Sequence, residues 1–178
     1  VQTCALPISI LAFLIDNLIY KMQKIKISKE QAVQRIRHFC AYQERAQQEV
    51  RDKLYSFSRS SQEVEEIIAD LISDNFLNEA RFAENFAGGH FRIKAWGRQK
   101  IKYALQQKKV SPANIKKAIQ SIDDNDYQKA LVALATKKWN SLKGGTALSR
   151  KAKTQSFLVQ RGFEINLIGP IVQALNKK

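Results

Sequence analysis

Lysine and arginine are the residues numerous and clustered enough in this chain to act on a partner. Between Glu84 and Asp123 there is no acidic residue, while Arg92, Lys94, Arg98, Lys100, Lys102, Lys108, Lys109, Lys116 and Lys117 all fall there. Cations gathered without counter-charges are drawn to polyanions, meaning nucleic acid, an anionic membrane surface or an acidic protein. Arg98 and Lys102 are four residues apart and Lys109 lies seven further on, so a helix would carry all three on one face. Arg81 lies ahead of the cluster, and Arg150, Lys151 and Lys153, with Lys137 and Lys138 before them, extend the basic track. Arginine forks onto phosphate or carboxylate with two parallel bonds, which weights Arg81, Arg92, Arg98 and Arg150 above the lysines. Any single lysine here reads more simply as solvated charge; the acid-free run as a whole reads as a surface.

Other chemistry is sparse. Cys4 and Cys40 are too few for a disulfide framework and lack metal-ligand spacing, and His38 and His90 stand apart from one another. Cys40, beside Phe39, reads as a small buried hydrophobe. No P-loop, dinucleotide-binding glycine fingerprint, metalloprotease motif or nucleophile elbow occurs. In the basic half the carboxylates are Glu84, Asp123, Asp124, Asp126 and Glu164, and the aspartates read as a helix start. The sequence therefore predicts no catalytic residue, no metal and no cofactor. Trp96, next to Gly97, is an aromatic able to stack on a base, but at a helix junction it reads first as a core or hinge residue.

The charge is unevenly spread along the 178 residues: positions 1–79 carry a net −1 and positions 80–178 a net +15, giving +14 overall. Hydrophobic residues make up 44% of the chain, enough for a packed core and too many for a wholly disordered protein. Seven glycines and three prolines leave few turn residues for a many-stranded sheet. The apolar stretch Ile8–Ile15, interrupted at Asp16, is too short to span a bilayer and lacks the flanks of a secretory signal. No membrane partner is expected, and the reducing cytoplasm is the predicted compartment. Met22 is the only methionine, and the character of the chain changes there, so residues 1–21 are read as an extension ahead of a start at Met22.

The elements that must hold the basic run are helical throughout. Ser28 with Gln31 and Ser60 with Glu63 have capping-box spacing, and Asn78, Ser111–Pro112, Asp123 and Thr146 are further start signals. Apolar residues recur at three and four: Val33, Ile36 and Cys40; Val50 and Leu54; Val64, Ile67, Ile68, Leu71 and Ile72. Phe82, Ala83 and Phe86 continue the pattern into Phe91 and Ile93, with Gly88 and Gly89 weakening that helix. Arg98–Lys109 is expected as a compact helix with Ile101, Ala104 and Leu105 inward. Ile115, Ala118, Ile119 and Ile122 follow, then Tyr127, Ala130, Leu131 and Leu134. The next stripe is Leu148, Ala152 and Phe157, ended by Gly162, and a last helix tolerates Pro170 only in its first turn. With no period-two run, the predicted class is all-α: three tandem three-helix repeats at 22–76, 77–122 and 123–178, forming an elongated, curved body. Stacked repeats of this period serve as binding surfaces.

Leu77-Asn78-Glu79-Ala80-Arg81-Phe82-Ala83-Glu84, followed by Trp96-Gly97-Arg98-Gln99-Lys100-Ile101, Leu105 and Lys108, resembles the central repeat of the bacterial RecX family. Glu49-Val50-Arg51-Asp52-Lys53-Leu54 resembles that family's first-repeat pattern, and Phe157-Leu158-Val159-Gln160-Arg161-Gly162-Phe163 its C-terminal one. The resemblance covers about 24–178. Glu79 and Ala80 depart from the common Asp and Glu, and nothing in the family answers to residues 1–21.

This resemblance implies a non-enzymatic regulator of the RecA recombinase, and the repeats themselves, which need no partner to bury their stripes, predict a monomer. Such a protein lies in the groove of the RecA filament on single-stranded DNA and restrains its assembly, ATP hydrolysis, strand exchange and SOS co-protease activity. The working surface would then comprise Arg81, Arg92, Lys94, Arg98, Lys100, Lys102, Lys108, Lys109, Arg150, Lys151 and Lys153. Two alternatives remain from the residues alone: an autonomous nucleic-acid-binding protein, or a helical scaffold for an acidic protein partner.

Overall fold

The computed structural model describes residues 27–176; the expected extension 1–21 and the start at Met22 lie outside them. Among the described residues there are nine α-helices and no strand: α1 Lys29–Tyr42, α2 Gln47–Ser56, α3 Ser61–Ser73, α4 Glu79–Lys94, α5 Arg98–Gln107, α6 Pro112–Gln120, α7 Asp124–Ser141, α8 Ala147–Gln160 and α9 Ile165–Asn176.

Most of these helices begin where short polar side chains can satisfy their first amides. Ser28 and Ser60 close complete capping boxes with Gln31 and Glu63. Asn78 accepts from the Arg81 amide at 2.9 Å, Asp123 from the Asp126 amide at 2.9 Å, and Thr146 from the Ser149 amide at 3.2 Å. Ser111 precedes Pro112 as expected, yet its hydroxyl makes no cap and donates instead to Glu79 at 2.6 Å.

Helix ends differ more from expectation. Ser58, Asn75, Ala95 and Lys109 all adopt the left-handed conformation without being glycine. Lys109, at φ 57, therefore lies beyond α5, which stops at Gln107, and does not share a helical face with Arg98 and Lys102. Gly88 and Gly89 leave α4 unbroken through Lys94. Pro170 is the sixth residue of α9 and not in its first turn. Pro170 and Asn166, whose carbonyl is left without an amide donor, are both exposed residues.

The helices in extensive contact are α1 with α2, α2 with α3, α4 with α5 and α6, α5 with α6, and α7, α8 and α9 with one another. Ala32, Ile36, Val50, Leu54, Val64, Ile67 and Leu71 form one core under α1–α3. A second core is continuous from α4 to α9 and includes Phe82, Ile101, Leu105, Ala118, Tyr127, Leu131, Leu158 and Ile168. Along α8 the expected stripe is displaced: Leu148 is 77% exposed and Ala152 is exposed, while Thr154 and Leu158 are buried. Thr154 can be buried because its hydroxyl donates to the Arg150 carbonyl one turn back, at 2.8 Å. Ile93, in the last turn of α4, is 84% exposed and contributes nothing to the core.

Candidate partner-binding surface

The basic run is held in place by a backbone crossing. At the start of α5, the Gly97 amide donates to the Arg161 carbonyl at 2.8 Å, and the Gln99 amide donates to the Gly162 carbonyl at 3.0 Å. Between them the Arg98 amide donates to the Tyr127 hydroxyl at 3.0 Å, and that hydroxyl donates to Glu164 at 2.6 Å. Three amides that a helix leaves without internal partners are thus satisfied by α7 and the α8–α9 turn. A Cβ on Gly97 would run into the Gly162 carbonyl, and one on Gly162 into Lys100; Gly162 also sits at φ +88. Burial and the neighbouring Glu164 raise the Tyr127 phenol well above its ordinary pKa, so it stays protonated as a donor. Trp96-Gly97-Arg98 and Arg161-Gly162-Phe163, two stretches that stood out separately in the sequence, meet here as halves of one joint.

That geometry sorts the candidate cations. Arg98 is turned inward: its Nη2 donates to the Ile122 carbonyl at 3.1 Å and pairs with Asp124 at 2.5 Å, and its guanidinium lies 4.2 Å from the Tyr127 ring centroid. Arg81 is paired with Glu44 and also donates to Asn75. Lys108 pairs with Glu49, whose other oxygen accepts from the Ala46 amide at the start of α2. Arg150 lies 4.4 Å from the Trp139 ring centroid and donates to the Trp139 carbonyl at 3.0 Å. These four are engaged within the chain. Arg92, Lys94, Lys102, Lys109 and Lys153 are exposed, Lys100 and Lys151 partly so, and none has an ion-pair partner among the described residues.

Trp96 belongs to an aromatic run: Phe86 stacks on His90 at 3.9 Å between centroids, and His90 meets Trp96 at 4.5 Å. Lys100 and Lys94 lie 4.8 and 5.4 Å from the Trp96 ring centroid. The His90 Nδ1–H donates to the Phe86 carbonyl at 2.9 Å. Partial burial, together with the charges of Lys94 and Lys108, holds the imidazole below its ordinary pKa and neutral at pH 7.

Sequence reasoning missed the partners that occupy four of the eleven candidates: Glu44, Glu49, Asp124 and Tyr127, and with them Trp139. No spacing rule links Lys108 to Glu49 across 59 residues. Trp139 was legible, since Tyr127, Leu131, Ala135 and Trp139 repeat at four and are all buried. Among the described residues no three His, Cys, Asp or Glu gather as a metal site would require, and no helix is long and apolar enough to cross a membrane.

Nine helices among the described residues, carrying a basic middle portion, define the class as an all-α helical protein. Comparison with known proteins makes the class specific. Residues 78–119 match the second three-helix domain of RecX and residues 125–171 the third. The regulatory protein RecX of Prosthecochloris aestuarii is 33% identical over 137 residues, covering 77% of this chain and 88% of that one. Its counterpart in Clostridium perfringens strain 13 is 32% identical over 133 residues, covering 74% of this chain and 62% of that one. The crystal structure of RecX from Lactobacillus salivarius superposes with a TM-score of 0.76 at 25% identity, covering 84% of this chain and 97% of that one. The chain belongs to the RecX family, a family of regulatory proteins and not of enzymes. It spans less than two thirds of the length of the clostridial relatives.

Proposed function

We propose that this chain binds the RecA recombinase filament on single-stranded DNA and restrains its assembly, with ATP hydrolysis, strand exchange and SOS co-protease activity falling as a consequence. On this reading it works in the cytoplasm as a monomer, without a cofactor. Kinship with RecX regulators supplies the class of activity. The observation that carries the reading in this chain is the set of cations left exposed once the internal ion pairs are set aside. Arg92, Lys94, Lys102, Lys109, Lys116 and Lys117 are exposed, and none has an ion-pair partner among the described residues. On this reading Lys100, Lys151 and Lys153 add to that set, while Arg81, Arg98, Lys108 and Arg150 are engaged within the chain.

A second reading, an autonomous single-strand binder, is favoured by one specific feature. The Phe86–His90–Trp96 run with Lys94 and Lys100 at its end combines stacking rings with cations, as single-strand sites do. Co-sedimentation separates the two. The chain should pellet with cognate RecA assembled on single-stranded DNA at salt concentrations where it no longer associates with the bare strand. Equal association with both, weakening with a log–log salt slope of about −0.7 per phosphate contacted, would establish the second reading instead.

A further inference from the structure

A groove of about 470 Å³ runs between α5 and α6, lined by Lys102 and Gln106 of α5, Val110 of the turn, and Pro112, Ile115, Lys116, Ile119 and Gln120 at and along α6. We propose that this groove seats an amphipathic, acidic segment of the protein partner, with aliphatic side chains on its floor and carboxylates against Lys102 and Lys116. The proposal rests on the filament-binding reading above and names the kind of contact made.

Three observations select this occupant. First, the lining holds no carboxylate; beyond it, Asp124 is engaged by Arg98, and Glu79 accepts from Ser111 and Asn114. A segment bearing Asp or Glu therefore meets cations at the rim and no like charge. Second, the apolar part of the lining is aliphatic, with Val110, Pro112, Ile115 and Ile119 and no aromatic ring. Nucleobases are held by stacking on aromatic or guanidinium planes, whereas an amphipathic helix or strand fills an aliphatic groove with its own apolar side chains. Third, a second copy is a poorer candidate, because three of the four carboxylates of the acidic helix of this chain, all but Asp70, are already paired. Glu63, Glu65 and Glu66 of α3 pair with Arg59, Arg51 and Lys29 of their own unit.

A benzophenone amino acid in place of Gln106, at the groove's edge, supplies the direct test. The substituted chain is irradiated with cognate RecA assembled on single-stranded DNA, and the adducts are mapped by mass spectrometry. The expected adduct joins a RecA peptide in which Asp or Glu alternate with Leu, Ile or Val. Adducts to DNA, to a second copy of this chain or to no molecule at all would overturn the proposal. Lys102→Glu combined with Lys116→Glu gives an independent reading, since both side chains are exposed and unpaired among the described residues. With helicity and melting retained, the concentration for half-maximal inhibition of RecA should rise at least about tenfold; unchanged potency contradicts the groove. An unsubstituted chain that leaves RecA untouched overturns the filament-binding reading itself, a failure distinct from that of an inhibitory chain whose groove is empty.

Discussion

Arg98 shows how a side chain that looks like a ligand contact becomes a fastener. Its charge is met by Asp124, its Nη2 by the Ile122 carbonyl, and its flat face by Tyr127. Truncation to alanine removes all three and leaves the part-buried Ile122 carbonyl without its donor, at a cost of about 2 kcal/mol. Urea unfolding of Arg98→Ala should show that loss, whereas Lys109→Glu, exposed and unpaired among the described residues, should move stability by less than about 0.5 kcal/mol. The contrast reverses the weighting that guanidinium chemistry alone suggests. Arginine's fork suits an internal carbonyl and carboxylate as well as a phosphate, so residue type marks a strong donor without saying which side of the surface it faces. In this chain the exposed lysines are the better candidates for contact with a partner.

At the scale of elements, helix starts were legible, and helix ends were legible where glycine or a serine run marks them, as at Gly162 and after Ser56. Ser28, Ser60, Asn78, Asp123 and Thr146 each cap the helix expected after them, because a short oxygen-bearing side chain at that position has a local mechanism. Ends at Ser58, Ala95 and Lys109 carry neither glycine nor asparagine in the left-handed position, so the residue there does not itself announce the end, whereas Asn75 is of a type that favours it. Their left-handed turns are closed by local backbone bonds back to the helix, as at Ala95, where the Trp96 amide donates to the His90 carbonyl at 3.2 Å before the chain reaches the crossing at Gly97. Two substitutions two residues apart should therefore have opposite signs. Ala95→Gly relieves the left-handed backbone and should add about 1 kcal/mol, while Gly97→Ala drives a methyl into the Gly162 carbonyl and should cost more than about 3 kcal/mol. Thermal melts of the pair check both. Equal, small effects would mean that the α5 start and the α8–α9 turn are not locked together.

Across the whole molecule, the division of labour follows the two cores. The α1–α3 unit packs around its own apolar core and carries ion pairs of its own on its surface, and Glu44 and Glu49, in or just before α2, reach out to Arg81 and Lys108. The continuous core from α4 to α9 carries the basic surface on a body whose parts are fixed by the Gly97–Gly162 crossing. Helical class and the order of the helices were readable from periodicity and caps; which cations remain for a partner was not. That distinction depends on pairings such as Lys108 with Glu49, which only the folded arrangement brings together. The central claim is that this body restrains a RecA filament, and the most direct measurement is the single-stranded-DNA-dependent ATPase of cognate RecA titrated with the chain, beside its binding to the same bare DNA at the same salt. Inhibition is expected at concentrations well below those that coat the DNA. An unaffected ATPase, with binding to bare DNA intact, would contradict it.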